Sequence, residues 1–181
     1  FKNSVYLNSE KIGYKVFSTN LVLPETIYTS KAQLAGGSGM TGIPEVFESR
    51  LKYNRYDTFG NPLEVQQVGG MLISYIWGYN KTVPIAKIEN ASNAQIQSAL
   101  GVTNYDSLTE VNLSTINSLR TLLPNALVTT FTHKPLIGVE TVTDPKGYTM
   151  TYQYDAFNRL EKVTDAAGNI VTENLYHYRT Q

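Results

Sequence analysis

Two rows of aromatic side chains, Tyr75-Trp77-Tyr79 and Tyr148-Tyr152-Tyr154, are the strongest candidates in this chain for binding a ligand. Tyr75, Trp77 and Tyr79 stand at every second position of the segment 71–79, so a strand would place the three rings on one face. Exposed planar rings in a row could stack on sugar rings, whereas buried rings would form the core of a sheet. We favour burial and keep the three residues as candidate ligand-facing aromatics.

The carboxylates and histidines predict no catalytic or metal centre. The aspartates with turn-like neighbours stand singly, at Asp57, Asp144, Asp155 and Asp165. A calcium cage needs several carboxylates within a few residues, so we interpret these aspartates as structural. His133 and His177 are the only histidines, and there is no cysteine; neither histidine has a metal-ligand neighbour at a fixed spacing. We therefore predict no catalytic residue, no metal site and no cofactor.

A glycine-rich segment at 37–42 matches the Gly-x-Gly-x-x-Gly pattern of phosphate-binding loops. That mechanism needs a buried strand before the loop and the start of a helix after it. The residues before it are polar, and Ile43-Pro44 follows it. Neither requirement is met, so we predict a flexible loop without nucleotide.

Short strands and tight turns are the elements that would position these residues. Alternating large and polar residues predict strands over 71–79, 148–155 and, more loosely, 169–178. Shorter strands are expected at 12–17, 26–29 and 45–48. Turn residues stand between strands at 59–62, 144–147 and 165–168. Strand, turn and strand at this spacing predict a series of antiparallel β-hairpins.

The segment 91–124 interrupts the strand pattern. A helix is predicted over 94–100, with Ser92 or Asn93 as its N-cap and Gly101 at its end. A second helix is predicted over about 113–123, where leucine and isoleucine follow helical spacing until Pro124. We predict that this two-helix insertion packs on the sheet and covers one of its edges.

A repeat with a period of 21 residues lies near the C-terminus. It relates Val142 to Val163, Asp144 to Asp165 and Gly147 to Gly168. A fixed period of this length is typical of repeat architectures, whose units are selected for stacking on their neighbours. We therefore expect the function of this chain to depend on how its repeat units stack together.

The segment 154–169 resembles the YD repeat of the RHS family. Its matching positions are Tyr154, Asp155, Arg159, Leu160, Val163, Thr164, Asp165, Gly168 and Asn169. Asn158 stands where the family usually has glycine, a mild change because asparagine also tolerates positive φ. The resemblance extends over about 131–178.

A diverged copy of the repeat is found at about 50–79. Tyr56, Asp57 and Gly60 match its opening, and Gly70 follows Tyr56 at the distance that separates Gly168 from Tyr154. Gln67 replaces the second aspartate. The residues that we predict to stabilise the repeats are Tyr56, Asp57, Gly60, Asp144, Gly147, Tyr154, Asp155, Arg159, Leu160, Asp165, Gly168 and Asn169.

The predicted fold class is mainly β, with antiparallel stacked hairpins forming a YD-repeat sheet and a small two-helix insertion. We predict a single domain over 1–181, made of an N-terminal β and loop segment at 1–49, a diverged repeat hairpin at 50–90, the helical insertion at 91–124 and repeat hairpins at 125–181. A chain of 181 residues is long enough to bury a core.

The charge balance limits the class of partner. Fifteen basic and fifteen acidic residues give no net charge, which argues against nucleic acid as a partner. No apolar run has the length of a membrane span. Because the chain begins with Phe1, we expect a processed protein or a piece of a longer one.

The resemblance implies a structural or interaction module of a large bacterial protein that is secreted or held at the cell surface. In that family many repeats wind into a shell around a cargo polypeptide or form an adhesive rod. The expected partners are other repeats of the same polypeptide, an enclosed cargo polypeptide or a glycan, and a second copy paired through exposed strand edges. The alternatives are a carbohydrate-binding module that uses exposed tyrosine and tryptophan and, ranked last, a hydrolase acting on polysaccharide or cell wall.

Overall fold

The computed structural model describes residues 9–18, 20–30, 46–104 and 107–177. The fold is mainly antiparallel β, as the sequence predicts, and the described residues form eleven strands. The chain divides into two compact units, Phe1–Leu72 and Ile73–Gln181. The glycine-rich segment 37–42 and Tyr178 lie outside the described residues.

The first unit contains four strands, each antiparallel to the next along the chain. They are β1 (Glu10–Ser18), β2 (Leu21–Ser30), β3 (Phe47–Tyr56) and β4 (Pro62–Gln67). Two of the expected short strands, 12–17 and 26–29, lie inside β1 and β2. Leu63 and Val65 alternate along β4 and are buried, which is the period-two pattern of a strand with one covered face.

The second unit contains seven strands that follow one another in chain order as antiparallel neighbours. They are β5 (Leu72–Gly78), β6 (Val83–Glu89), β7 (Leu127–Lys134), β8 (Gly138–Thr143), β9 (Thr149–Tyr154), β10 (Leu160–Thr164) and β11 (Ile170–Glu173). Tyr148 therefore precedes β9 instead of extending it, and its ring is exposed. All four residues of β11 are exposed.

The predicted first helix is confirmed as α1 (Asn93–Leu100). Ser92, and not Asn93, is its N-cap, and Ser92 forms a capping box with Gln95. Gly101 ends the helix in the left-handed conformation, with φ of 65°.

The second predicted helix is interrupted. The chain forms a short 3₁₀ helix (Glu110–Asn112), then α2 (Leu113–Asn117) and α3 (Leu119–Leu122), which meet in a bend at Ser118. The Ser118 hydroxyl donates to the carbonyl of Thr115 at 2.7 Å. A serine that bonds back to its own helix in this way bends helices.

The core of the second unit lies between its strands and these helices. Seven large apolar side chains there are fully buried: Ile76, Ile85, Ile88, Ile96, Ile116, Leu119 and Val128. Helices α2 and α3 both contact β7, which is paired with β6 on one side and with β8 on the other. The insertion thus packs on the sheet, but it covers a face of β7 where an edge was expected.

Among the described residues, no helix has the length and apolar character needed to cross a membrane.

Candidate functional site

Four turns share one arrangement in which an aspartate closes a five-residue loop. They begin at Asp57, Asp144, Asp155 and Asp165. In each, the aspartate Oδ1 accepts the backbone N–H of the second and the fourth residue after it, at 2.8–3.0 Å. The aspartate N–H donates to the carbonyl of the fourth residue, and the N–H of the third donates back to the aspartate carbonyl. Each of the four aspartates thus bonds within its own turn, and its role in stabilising the repeats stays a prediction.

The third residue after each aspartate takes the left-handed backbone conformation. The φ angles are 87° at Gly60, 90° at Gly147, 86° at Gly168 and 62° at Asn158. Asn158 therefore does what the sequence predicts, since it adopts the same conformation as the glycines. A Cβ added at Gly168 would meet nothing within 4 Å, so backbone conformation, and not space, is what disfavours larger residues there.

The second carboxylate oxygen accepts from the last residue in three of the turns. Asn61 Nδ2 donates to Asp57 Oδ2 at 3.0 Å, and Asn169 Nδ2 donates to Asp165 Oδ2 at 2.9 Å. In the third turn the Arg159 guanidinium donates twice to Asp155 Oδ2, at 2.8 and 2.6 Å. These bonds hold the pKa of Asp155 and of Asp165 below the usual aspartate value.

Arg159 also connects its turn to the C-terminal segment. Its guanidinium lies 4.1 Å from the ring centroid of Tyr176 and 5.2 Å from that of Phe157. The Leu160 carbonyl accepts the Tyr176 hydroxyl at 2.9 Å and the Asn174 amide at 3.1 Å. Arg159 and Leu160 thus have contacts within the repeat.

The two repeat tyrosines anchor their strands to the preceding strand. The Tyr56 hydroxyl donates to the carbonyl of Pro24 in β2, and the Tyr154 hydroxyl donates to the carbonyl of Val139 in β8, both at 2.8 Å. Burial, with the nearby Tyr53 as a smaller cause, raises the pKa of Tyr56 to about 12. A Cβ at Gly138 would lie 2.3 Å from the Tyr154 hydroxyl oxygen, so this close approach needs the glycine.

The diverged turn at Gln67 is built differently. The Gly70 N–H donates to the Gln67 carbonyl at 2.8 Å, and the positive φ belongs to Gly69, at 74°. Gly70 follows Tyr56 at the distance that separates Gly168 from Tyr154, but it does not take the left-handed conformation of Gly168. The correspondence predicted from the spacing is therefore wrong for the backbone conformation. Without the aspartate, the left-handed position moves one residue earlier.

The predicted aromatic face of β5 is shorter than expected. Tyr75 and Trp77 share the half-buried face, with ring centroids 6.5 Å apart, while the fully covered face carries Ser74 and Ile76. Tyr79 leaves this face because β5 ends at Gly78 and Tyr79 has a φ of 49°. A row of three rings is therefore not present.

Tyr79 instead lines a cavity in the second unit. The cavity has a volume of about 430 Å³, and its walls come from the segments 79–83 and 133–138 together with Glu110. These segments are the turns that join β5 to β6 and β7 to β8. Val83, Leu136 and Ile137 supply apolar surface, and Asn80, Glu110 and Lys134 supply polar groups. A volume of this size lies within the range of small-molecule sites.

Glu110 and His133 are fixed in this cavity by hydrogen bonds. Glu110 Oε2 accepts the Tyr79 N–H at 2.7 Å, which is the largest cause of a pKa below the usual glutamate value. His133 is also hydrogen-bonded, since its Nε2 lies 2.9 Å from the Pro84 carbonyl oxygen. The rings of Tyr79 and His133 meet edge to face, with centroids 5.5 Å apart.

Sequence reasoning missed Glu110 as a site residue. It stands 31 residues from Tyr79, in the segment predicted to be a helical insertion, and no motif connects the two. Only the packing of the insertion on the sheet brings them together. His177 lies in the exposed C-terminal segment. The described residues contain no group of three or more histidine, aspartate or glutamate side chains that could hold a metal ion.

Comparison with known proteins supports the repeat interpretation. Residues 139–170 match the family model described as RHS Repeat. This segment contains the turns at Asp144, Asp155 and Asp165, so the resemblance to the RHS and YD-repeat family is confirmed where the structure repeats most regularly. RHS repeats are structural repeats. No curated protein gives a significant match to the chain.

Proposed function

We propose that this chain is a non-enzymatic structural and interaction module of a larger YD-repeat protein. The observation that carries the proposal is the recurrence of one turn at Asp144, Asp155 and Asp165 within the segment that matches the RHS repeat. Three closures with the same Oδ1 and backbone hydrogen bonds, at intervals of 10 or 11 residues, are expected of a repeat that stacks on its own copies.

The aspartates themselves favour a structural role over chemistry. A general acid or base needs an oxygen that can reach a substrate proton. Both oxygens of Asp155 and of Asp165 instead accept hydrogen bonds inside their own turns. We therefore place the function of these residues in closing hairpins, and we propose no enzymatic activity for them.

For the intact protein we propose secretion or display at the cell surface, as part of a shell or a rod. Two supports are available: the RHS repeat itself, a type that occurs in surface and secreted proteins, and the exposed strand β11, whose outer edge can accept another strand. The proposed partners are further repeats of the same polypeptide and an enclosed polypeptide.

The reading frame around this segment tests the proposal most directly. We expect it to continue into further segments that carry an aspartate and, three residues later, a glycine or asparagine every 10 or 11 residues. A signal sequence at its start and cell fractionation with an antibody against this module would test export. A frame that encodes this module without any further repeat would overturn the proposal.

Carbohydrate binding through an aromatic face is a weaker candidate. Tyr75 and Trp77 remain adjacent on a half-buried face, but Tyr79 does not extend the row. Trp77 is the only tryptophan, so its fluorescence reports on this face alone. A saturable change in that emission on addition of a soluble glycan would support the candidate, and an unchanged emission would remove it.

A further inference from the structure

Four strongly exposed apolar side chains lie at one end of the second unit. The turns after β5, β7 and β9 all lie at this end, because the strands are antiparallel neighbours in chain order, and the chain returns to it after β11. The exposed fractions are 82% for Val111, 107% for Leu136, 70% for Phe157 and 74% for Leu175. At the opposite end, Tyr148 is the one described apolar or aromatic side chain with comparable exposure, at 70%. We call the end that carries the first four residues the apolar end.

Val111 and Leu175 are held at the apolar end by the residues beside them. Val111 follows Glu110, whose Oε2 accepts the Tyr79 N–H in the turn after β5 at 2.7 Å. Leu175 follows β11, and the residues on either side of it donate to the carbonyl of Leu160 at the start of β10, at 3.1 and 2.9 Å. Both exposed side chains therefore stand on anchored backbone.

Leu136 is exposed in a backbone conformation that disfavours leucine. Its φ is 64°, in a turn closed by a hydrogen bond of 3.0 Å from the Ile137 N–H to the Lys134 carbonyl. The Asp turns of this chain have glycine or asparagine at their left-handed positions, and these two residues adopt positive φ at a lower cost. Closure of the hairpin therefore does not account for the leucine, and its fully exposed side chain adds nothing to the core.

Phe157 is likewise not required by the turn that carries it. It is the second residue after Asp155, and the equivalent positions of two other Asp turns carry Lys146 and Ala167. Its ring centroid lies 5.2 Å from the Arg159 guanidinium, which is paired with the Asp155 carboxylate at 2.6 Å. The ring is nevertheless mostly exposed, so its apolar surface is available to a partner.

The charged groups at the apolar end balance. Among the described residues of its turns, its strand ends and the 3₁₀ helix, three are basic and three are acidic, namely Lys81, Lys134, Arg159, Glu110, Asp155 and Glu173. The carboxylate of Asp155 is paired with Arg159, and that of Glu110 accepts the Tyr79 N–H. This end therefore does not select a partner of strong net charge, and contact with it depends on the apolar side chains.

The spacing of these side chains favours a bilayer over a protein as the partner. Neighbouring strands lie about 4.8 Å apart, so the tips that carry Leu136 and Phe157, two strands apart, are separated by about 10 Å. A protein would need a separate pocket for each side chain, whereas the fluid boundary between headgroups and acyl chains receives apolar side chains at any spacing. Tyr176, which is 44% exposed and adjoins Leu175, is of a residue type enriched at this boundary.

The backbone of the Phe157 tip is also suited to a boundary where water is scarce. Unbonded backbone donors are costly there. In the turn 155–159, the N–H groups of residues 155, 157, 158 and 159 all donate within the turn. The tip can therefore leave bulk water with most of its donors already bonded.

We propose that the apolar end docks this chain on the surface of a phospholipid bilayer. Val111, Leu136, Phe157 and Leu175 enter the boundary between headgroups and acyl chains, and docking of this kind is peripheral. Because the charges at this end balance, zwitterionic lipid is sufficient for binding. This inference goes beyond the structural function proposed above and does not depend on it.

The test is co-sedimentation of the full chain with phosphatidylcholine vesicles over a range of lipid concentrations. We expect saturable binding whose affinity changes little when anionic phosphatidylglycerol is added. The double variant Leu136→Asn, Phe157→Ala introduces residues that the Asp turns already use at Asn158 and Ala167. Its affinity for the vesicles should fall at least about tenfold, because two of the four apolar contacts are lost.

A matched control and a second double variant make the test decisive. Tyr148→Ser removes an equally exposed ring at the opposite end and should leave the affinity unchanged. The double variant Val111→Ser, Leu175→Ser removes the other two apolar contacts, and it decides the matter if the first double variant does not fold.

Several results would overturn the proposal. They are an absence of binding to phosphatidylcholine vesicles, binding that occurs only with phosphatidylglycerol, an affinity that survives both double variants, and an equal loss in Tyr148→Ser. Self-association of the chain without vesicles, abolished by the double variants, would assign the apolar end to a second copy and would overturn it as well.

Discussion

The turns at Asp165 and at Gln67 occupy the same place in two copies of the repeat, yet they close differently. The Asp165 carboxylate accepts two backbone N–H groups and the Asn169 amide, and Gly168 takes the left-handed position. In the Gln67 turn the Gly70 N–H donates to the Gln67 carbonyl, and Gly69 takes the left-handed position. A hairpin can therefore close without the aspartate, but the aspartate fixes which residue has positive φ.

The largest effect is expected at Asp57, which is 6% exposed and accepts three hydrogen bonds in its turn. Asp57→Ala should destabilise the protein by about 3 kcal/mol, because buried donors lose their partners. Gln67→Ala, at an exposed position, should change the free energy of unfolding by less than about 0.5 kcal/mol. Urea unfolding of both variants measures the difference, and equal losses would refute the role assigned to the aspartate.

A second prediction concerns the left-handed position itself. Gly168→Val should cost about 2 kcal/mol, within the range of about 1–3 kcal/mol for a residue forced into positive φ. Gly168→Asn should cost less than about 0.5 kcal/mol, since Asn158 holds the equivalent place in its own turn. Thermal unfolding would compare the two, and an unchanged melting temperature in Gly168→Val would count against this assignment.

Acidification should destabilise the turns at Asp155 and Asp165. The pKa of Asp155 and of Asp165 is lowered in the folded state, mainly by hydrogen bonds from Arg159 and from Asn169 respectively. The stability that they contribute is complete above the unfolded aspartate pKa, about 4, and is lost as the pH falls through the lower folded value. Asp165→Asn should therefore show a smaller loss of melting temperature on acidification than the parent protein. Identical pH profiles would show that the turn does not contribute.

The smallest effect is expected when the Gln67 turn is converted into a turn like that of Asp165. The triple variant Gln67→Asp, Gly69→Ala, Met71→Asn recreates the residue pattern of the Asp165 turn. We expect it to be neutral or stabilising by up to about 1 kcal/mol, partly because alanine restricts the unfolded chain more than glycine does. A structure of the variant should show positive φ at Gly70, and positive φ retained at position 69 would contradict the idea that the aspartate sets the register.

The sequence predicted the Asp turns well because every group in them lies within five residues. The positions of Asp, Gly and Asn contain the information needed to place each hydrogen bond, and Asn158 was assigned correctly for that reason. The strands around them follow from the alternation of large and polar residues. The cap of α1 is equally local, since Ser92 and Gln95 bond to each other.

What the sequence did not predict depends on contacts between distant residues. Alternation continued through Tyr79, but Glu110 and His133 hold that residue in a left-handed turn, so the aromatic row ends early. The apolar spacing of 113–123 is continuous, yet Ser118 bends the helix by bonding to Thr115. The cavity could not be predicted, because its walls join segments 31 and 54 residues apart.

The closed hydrogen-bond set of the Asp turn has a consequence for how such chains grow. Asp165 takes all of its partners from residues 165–169, so a duplicated stretch of gene would bring a complete turn to its new position. No compensating substitution elsewhere would be required for that hairpin to close. Recombination can therefore lengthen or shorten an array of these units, whereas a turn like that of Tyr79, which depends on a glutamate far along the chain, cannot be copied alone.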